Sequence, residues 1–254
     1  MDVEGWLAAL EERHLADLTV SEVTRALRAL SSCYVERRDR LATGGALDGA
    51  GKRAAFALFY GPQHFFLTRE IVRRVLPAMS QSLYTHIVDL GCGTGTAGAA
   101  AALECGAASI EGLDLNPWAV REATWTYQSF GLTGRARVVN ITRSKIRVRP
   151  GVLIVAAYAV NELPDAGRQE ILAQLNDPHR GAGVLVIEPI GRRVNRWWDE
   201  WAEVFRGAGG REDDWRFPMI LPLRQRALAK GAGLDVQQLT ARSLFVPRPI
   251  TART

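Results

Sequence analysis

Long apolar runs and cysteine clusters are both missing from this chain of 254 residues. No apolar stretch reaches about 18 residues, so no transmembrane helix is expected. The N-terminus carries early acidic residues and no apolar segment before a cleavage site, which argues against a secretory signal. The cysteines Cys33, Cys92 and Cys105 are odd in number and lack C-x-x-C spacing, so neither a disulfide framework nor a metal site is expected. These absences predict a cytoplasmic protein.

Lysine is also scarce. Lys52, Lys145 and Lys230 are the only lysines among 32 basic residues, and the formal net charge is +5. Arginine makes bidentate contacts to phosphate more readily than lysine does. The charge therefore favours an anionic partner such as RNA.

Residues 1–82 are predicted to form a helical N-terminal cap. Thr19 and Glu22 have capping-box spacing ahead of an apolar repeat of helical period in "LTVSEVTRALRAL". The same period recurs in "HFFLTREIVRRVLPAM". Between these helices, "RLATGGALDGAGKRA" predicts a glycine-rich connection.

Residues 83–254 alternate short apolar strands with helices, which predicts a single α/β domain. Strands are predicted in "HIVDL", "SIEGLDL", "RARVVNI", "GVLIVAAYAV" and "GAGVLVIEP", with a further strand opening at "QQLT" and a last one in "SLFVPR". This alternation is typical of a doubly wound, parallel sheet covered on both faces. Residues 191–222 interrupt the alternation, and we predict an inserted helix and loop above the carboxyl edge of the sheet.

The stretch "VDLGCGTGTAG" fits two different cofactor loops. Gly93, Gly95 and Gly98 match G-x-G-x-x-G, the pyrophosphate loop of dehydrogenases. Asp89 and the glycines that follow it match D-x-G-x-G-x-G, the loop of methyltransferases that use S-adenosylmethionine. Asp114 comes 21 residues after Gly93 and would bind ribose hydroxyls in either case, so it does not discriminate.

Asp89 discriminates between the two loops by its charge. A carboxylate next to a pyrophosphate would cost several tenths to a few kcal/mol, depending on the local dielectric. The same carboxylate is favourable next to the sulfonium and ammonium of S-adenosylmethionine. The pattern therefore favours a methyltransferase over a dehydrogenase, and over a glycine turn that binds nothing.

Residues 84–248 resemble the class I S-adenosylmethionine-dependent methyltransferases. The resemblance implies a Rossmann-like, mostly parallel sheet of seven strands with one antiparallel strand. It places Leu115 on the adenine, gives the Asn140 amide oxygen a hydrogen bond from the adenine amino group, and sets Ala157 and Tyr158 beside the sulfonium. The residues it assigns to the cofactor are Asp89, Gly91, Gly93, Gly95, Asp114, Leu115, Asn140, Ile141 and Ala157.

A narrower resemblance rests on "YAVNELP" after the fourth strand and "VLVIEPIG" after the fifth. Both are similar to turns of a methyltransferase-like family associated with the mitochondrial small ribosomal subunit and its bacterial relatives. This implies RNA or the small ribosomal subunit as a partner. Eukaryotic members carry a cysteine cluster after strand five, thought to hold an iron–sulfur centre. Residues 191–222 contain no cysteine, so no such centre is expected.

Candidate catalytic residues are Glu162, as a base or orienting group, and Tyr158, which follows the most apolar strand. For Glu162 and its neighbour the alternative is that they cap the turn into the next helix. The candidate substrate residues are Tyr60, His64, Asn161, Glu188, Arg192 and Arg196. Arginines beside tryptophans could bind single-stranded RNA. However, Trp197, Trp201 and Phe205 recur every four residues, which favours core packing.

Three hypotheses follow for function. The first is a methyltransferase acting on ribosomal RNA or a ribosome-bound target. The second is a small-molecule methyltransferase, with the cap and the insertion enclosing a pocket. The third is a ribosome assembly factor that keeps the fold without catalysis. The chain lacks the N/D-P-P-Y/F turn of many enzymes that methylate base amino groups. It also lacks the cysteine near strands four and five that methylation at pyrimidine C5 needs. Neither mechanism is therefore supported.

Overall fold

The computed structural model describes residues 1–36, 47–76, 83–146, 149–176, 181–191 and 195–247. The chain forms two compact units. The first is Met1–His64 with Phe217–Leu239, and the second is Phe65–Arg216 with Thr240–Thr254. The boundary predicted between residues 82 and 83 falls inside the second unit, and that division into domains stays a prediction.

The helices and strands are numbered along the chain. The α-helices are α1 Val3–His14, α2 Val20–Glu36, α3 Ala50–Ala55, α4 Gly61–Val75, α5 Thr96–Cys105, α6 Pro117–Ser129, α7 Asp165–Leu175, α8 Trp198–Gly207 and α9 Leu223–Ala232. The strands are β1 His86–Leu90, β2 Ser109–Asp114, β3 Thr133–Val138, β4 Val152–Ala157, β5 Gly183–Glu188, β6 Arg211–Pro218 and β7 Gln238–Val246. A π-helical turn covers Phe56–Tyr60, and a 3₁₀ turn covers Val160–Glu162.

The helical start of the chain is confirmed by its caps. The Thr19 backbone N–H donates to the Glu22 carboxylate at 2.8 Å, and the Glu22 N–H donates to Thr19 Oγ1 at 3.3 Å. This capping box opens α2. Part of the predicted glycine-rich connection, residues 40–46, lies outside the described residues. The prediction is wrong from Ala50 to Ala54, which belong to helix α3, because alanine is the strongest helix former.

One seven-stranded sheet organises the second unit, in the order β3-β2-β1-β4-β5-β7-β6. The pairs β1–β2, β1–β4, β2–β3 and β4–β5 are parallel, and β5–β7 is antiparallel. The predicted doubly wound fold is therefore confirmed. The strand order reverses between β1 and β4, and in such sheets the ligand crevice lies at that point.

The prediction for residues 191–222 is wrong in part, because the segment contains a strand as well as a helix. Strand β6 was missed because its residues are mainly charged and only Phe217 is buried. An edge strand of this kind shows little apolar alternation. At the end of the chain, the two predicted strands are one, since β7 runs through both.

The tryptophans of α8 belong to the core of the second unit. Trp198 and Trp201 are fully buried, and Trp201 stacks on Phe205 with ring centroids 6.2 Å apart. The Trp198 indole N–H donates to Glu212 at 2.7 Å, and the Arg242 guanidinium lies 4.2 Å from the Trp198 ring. Core packing is therefore confirmed, and these rings do not offer faces to RNA bases.

Within the described ranges, the helices are all too short or too polar to cross a membrane.

We expect Trp198→Ala to lower the free energy of unfolding by about 3–5 kcal/mol, because it removes a fully buried ring and leaves a cavity. Glu203→Ala on the exposed face of the same helix is the matched control and should stay within about 0.5 kcal/mol of wild type. Urea unfolding measures both. Equal losses in the two variants would contradict the assignment of α8 to the core.

Candidate functional site

The candidate site lies at the carboxyl edge of the sheet, in the loop between β1 and α5. The Gly91 N–H donates to the Leu113 carbonyl at 2.8 Å, which draws the loop toward the end of β2. A Cβ on Gly91 would overlap the Ala159 side chain of the loop after β4. The loops after β1 and β4 therefore meet closely where the strand order reverses.

The glycine loop also needs backbone angles that other residues rarely adopt. Gly93 has φ 51° and Gly95 has φ 77°, in the left-handed region that glycine enters without strain. A Cβ on Gly95 would stand 2.7 Å from the Tyr127 ring and 2.8 Å from the Ala123 backbone. The turn therefore depends on glycine, and it leaves backbone N–H groups at its surface.

Asp89 stands beneath this loop with 1% of its surface exposed. Its Oδ2 accepts the Gly98 backbone N–H at 3.1 Å and the Tyr127 hydroxyl at a longer 3.4 Å. A Cβ on Gly98 would overlap the carboxylate. Gly98 is therefore required by Asp89, and the helix packs on the sheet through this pair.

Burial raises the pKa of Asp89 to about 7, against the opposing effect of the Gly98 and Tyr127 hydrogen bonds. The nearby Asp114 adds a smaller upward effect. Near neutral pH the carboxylate is therefore held close to its midpoint. A positive charge placed beside it would favour the ionised form.

Asp114 binds the same loop from the end of β2. Its Oδ2 accepts the Gly93 N–H at 2.9 Å and its Oδ1 accepts the Asn116 N–H at 2.8 Å. Burial raises the pKa of Asp114, and these backbone hydrogen bonds oppose that rise. Each carboxylate oxygen retains a second lone pair. Asp114 can therefore accept ligand hydroxyls while holding the loop.

Two apolar side chains lie exposed beside Asp114. Leu115 is 59% exposed and Val138 is 55% exposed, and Asp114 pairs with Val138 across the strands. This is a surface suited to a flat apolar ring. Ile141 is buried in the core of the second unit.

Asn140 does not fit the role predicted for its oxygen. Asn140 Oδ1 accepts the Thr142 backbone N–H at 3.0 Å and the Thr142 hydroxyl at 2.8 Å. Both lone pairs of that oxygen are used, because an amide oxygen has two. The amide nitrogen remains as a donor, which suits a ring nitrogen better than an amino group.

Tyr158 follows β4 in a left-handed conformation, with φ 59°. Its N–H donates to the Ile187 carbonyl at 2.8 Å. Burial, with a smaller contribution from Glu188, raises the pKa of Tyr158 well above its usual range. The phenol therefore keeps its proton and can donate a hydrogen bond. Ala157, just before it, is half-buried at the strand end.

Glu188 ties the ends of β4 and β5 together. It is fully buried, and its Oε1 accepts the Asn161 backbone N–H at 3.0 Å. Glu162 lies next to Asn161 and is exposed. The N-cap of α7 is Pro164, without a side-chain cap hydrogen bond. Asn161 and Glu162 lie ahead of this helix, in the 3₁₀ turn Val160–Glu162.

Tyr60 and His64 belong to the first unit, where the structure brings them together with Phe56. The His64 ring centroid lies 6.2 Å from those of Phe56 and Tyr60. Burial lowers the pKa of His64 to about 4, so the imidazole is neutral near pH 7. Burial raises the pKa of Tyr60, against a hydrogen bond with Ser31. The cluster is thus uncharged and partly exposed.

The two predicted arginines have different outcomes. Arg192 lies outside the described residues. Arg196 is exposed and lines a cleft of about 530 Å³ between the first turns of α7 and α8. The other residues of this cleft are Asp165, Arg168, Gln169, Trp197, Glu200 and Trp201. Cations and carboxylates alternate there, so the cleft is not uniformly basic.

Sequence reasoning missed Tyr127 of α6, which is fully buried beneath the glycine loop. Besides contacting Asp89, its hydroxyl lies with the Cys92 sulfur beside Gly112 of β2. A Cβ on Gly112 of β2 would stand 2.5 Å from this hydroxyl. In the sequence Tyr127 is one apolar-face residue of a helix, and no local signal separates it from ordinary core residues. The described residues contain no group of His, Cys, Asp and Glu side chains able to hold a metal ion.

Residues 87–180 match a protein-family model described as "Methyltransferase domain". The match includes β1, the glycine loop, Asp114 and the turn after β4. No curated protein matches the chain in sequence.

Solved structures share the fold at low sequence identity. The methyltransferase domain of bacterial CtHen1-C has 14% identity and a TM-score of 0.50, with 74% of this chain and 98% of that chain covered. The N-methyltransferase NodS from Bradyrhizobium japonicum, in complex with S-adenosylhomocysteine, has 12% identity, a TM-score of 0.49 and coverage of 72% and 87%. The magnesium protoporphyrin IX methyltransferase ChlM from Synechocystis, with bound S-adenosylmethionine, has 12% identity, a TM-score of 0.48 and coverage of 89% and 97%.

We expect Asp89→Asn to stabilise the ligand-free protein more at pH 8 than at pH 5. The folded pKa of about 7 lies above the ordinary value of 3.8, so wild type loses stability as pH rises through that interval. Asparagine does not ionise and is spared this loss. Linkage makes the gain in unfolding free energy about 2.6 kcal/mol larger at pH 8 than at pH 5.

Urea unfolding at the two pH values measures this difference. Glu203→Gln, at an exposed site on α8, is the control and should show no such pH dependence. A gain from Asp89→Asn that is larger at pH 5 would overturn the assignment of a raised pKa to Asp89.

Proposed function

We propose that the Asp89–Gly95 loop and Asp114 hold S-adenosylmethionine and that the methyl acceptor is RNA. Both parts of this site lie within residues 87–180, the stretch that matches the methyltransferase-domain model. One observation carries the cofactor assignment. Asp89 and Asp114, 25 positions apart in sequence, converge on one glycine loop, Asp89 beneath it and Asp114 bonded to Gly93 N.

The charges of the site fit this cofactor. S-adenosylmethionine carries a sulfonium and an ammonium, and both gain from carboxylates held at the loop. A pyrophosphate would instead meet the buried Asp89 carboxylate at its own binding turn, which is unfavourable. In this proposal Asp89 faces the methionine end of the cofactor and Asp114 accepts the ribose hydroxyls.

The adenine end of the proposed site lies beyond Asp114. Leu115 and Val138 are exposed there and offer the ring an apolar surface. The Asn140 amide nitrogen is left to donate to a ring nitrogen, since its oxygen is used by Thr142. Gly91 lies so close to Ala159 that no larger side chain fits at position 91.

When bound, S-adenosylmethionine supplies a methyl group made electrophilic by its positive sulfur. The residues of this chain would orient the acceptor and hold its proton. We assign Tyr158 as a hydrogen-bond donor, because its phenol stays protonated. Glu162 is the proposed base. Glu188 accepts the Asn161 N–H and so positions the turn that carries Glu162.

An RNA acceptor is supported by charge. The formal net charge is +5, and 29 of the 32 basic residues are arginine, the side chain that best matches phosphate geometry. The resemblance of "VNELP" and "VIEP" to ribosome-associated methyltransferases makes the small ribosomal subunit the first substrate to try. A small-molecule acceptor and a silent assembly factor are the other outcomes of that trial.

We expect calorimetry to show that the protein binds S-adenosylmethionine and not NAD. Asp89→Ala and Asp114→Ala should each weaken the cofactor at least about tenfold, equivalent to about 1.4 kcal/mol, because each removes a carboxylate at the loop. Glu203→Ala is the control and should bind as wild type does. Binding of NAD without S-adenosylmethionine would overturn the cofactor proposal.

We expect radiolabelled methyl groups to pass from S-adenosylmethionine to RNA when the protein is incubated with small ribosomal subunits. Glu162→Gln should reduce the rate about 10²-fold or more, the range typical of a general base, while cofactor affinity in calorimetry stays unchanged. Label found only in the small-molecule fraction would contradict the RNA acceptor. No transfer with intact cofactor binding would favour the assembly factor.

A further inference from the structure

Residues 131–150 form the most one-sided stretch of charge in the chain. They contain six basic residues and no acidic residue. Arg147 lies outside the described residues, and the other five are all exposed: Arg135, Arg137, Arg143, Lys145 and Arg149. They come from β3, at the edge of the sheet, and from the connection between β3 and β4.

Strand β3 turns its two arginines to one face of the sheet. Ala136 is buried on the side of α6, and its backbone N–H donates to Thr124 Oγ1 of that helix at 3.0 Å. Side chains alternate along a strand, so Arg135 and Arg137 stand on the opposite face. Arg137 pairs across the strands with Leu113, which belongs to the core on that face.

The connection after β3 crosses the same face. Ile141 and Ile146 are buried in the core that contains Leu113. The Ile146 N–H donates to Gln174 of α7 at 2.9 Å, which fastens the segment. With these isoleucines inward, the exposed cations of the segment point to solvent beside those of β3. Arg143 and Lys145 therefore share one side of the second unit with Arg135 and Arg137, and Arg149 lies near His86 at the start of β1.

Few carboxylates oppose these cations. Glu111 binds Arg137 at 2.8 Å. Arg149 and Glu111 also act in opposite directions on the pKa of the neighbouring His86, which burial lowers. In the part of the chain that the structure describes, no carboxylate pairs with the remaining cations, Arg135, Arg143, Lys145 and Arg149. Arginines elsewhere are matched more often, as Arg73 is by Glu104 and Arg206 by Glu212.

We propose that this basic face, defined as Arg135, Arg143, Lys145 and Arg149, binds the phosphate backbone of the RNA that carries the methyl acceptor. This inference rests on the RNA acceptor proposed above. Unmatched, exposed cations bind phosphates by releasing counterions, without a need for sequence readout. The face begins next to Asn140, at the adenine end of the cofactor crevice, so RNA held there would lie beside the site.

The segment suits RNA better than a lipid surface. Membrane-binding surfaces combine cations with exposed apolar side chains that enter the lipid. Ile141 and Ile146 are buried instead, and the exposed Val138 belongs to the surface already assigned to the adenine ring. Three of the four residues of the face are arginine and one is lysine. This composition favours bidentate hydrogen bonds to phosphate groups over nonspecific attraction to a charged surface.

The test compares two variants of equal charge by fluorescence anisotropy with a labelled, mixed-sequence RNA of about 40 nucleotides. The first carries Arg135→Gln, Arg143→Gln, Lys145→Gln and Arg149→Gln. The control carries Arg121→Gln, Arg216→Gln, Arg226→Gln and Lys230→Gln, which neutralises four other exposed cations. Calorimetry with S-adenosylmethionine checks that both variants are folded.

We expect the first variant to lose at least tenfold in RNA affinity at about 0.1 M salt, and the control less than about threefold. The slope of log affinity against log salt should fall by about 3 in the first variant, since each lost phosphate contact to a single strand removes about 0.7.

Three results would overturn the inference. Equal losses of RNA affinity in the two variants would show that only the total charge matters and not this face. The proposal of an RNA acceptor would not be affected. Tighter binding to vesicles of phosphatidylserine and phosphatidylcholine than to RNA would assign the face to membranes. Absence of RNA binding in wild type would remove the RNA acceptor as well, and methyl transfer to another fraction would then identify the true class.

Discussion

A carboxylate buried at the end of β1 is the constraint on which the site depends. Asp89 accepts the first-turn N–H of Gly98 and leaves no room for a side chain there. That contact sets α5 against the sheet and the glycine loop above it. Its raised pKa, about 7 instead of 3.8, corresponds to about 4 kcal/mol that the ionised form costs the folded protein. Such a cost at a ligand site is a common exchange of stability for function.

The same device recurs along the carboxyl edge of the sheet. Asp114 at the end of β2 accepts two backbone N–H groups, and Glu188 at the end of β5 accepts one from the turn after β4. In each case the acid that ends a strand fixes the loop beside it. These carboxylates therefore hold the loops of the crevice in place, in addition to any contact with a ligand. Tyr158, strained just after β4, lies where two such loops meet.

Much of this arrangement could be predicted because it depends on local pattern. Apolar strands that stop at glycine or an acid indicate a buried parallel sheet, and the spacing from Asp89 to Gly95 and on to Asp114 indicates the loop. What failed depends on distant partners. Strand β6 is polar because Glu212 binds Trp198 and Arg242, and the Asn140 oxygen is taken by Thr142 through a local turn. Tyr127 is identified only once its contacts with Asp89 are seen.

Titration of the Asp89 carboxyl carbon by nuclear magnetic resonance tests the central claim most directly. In the ligand-free protein we predict a midpoint near pH 7. Saturation with S-adenosylmethionine should lower it below about pH 6, because a cation beside a carboxylate favours the ionised form. A midpoint that stays near 7 or rises on saturation would contradict the account, since the carboxylate would then stabilise the fold without meeting the cofactor's charge.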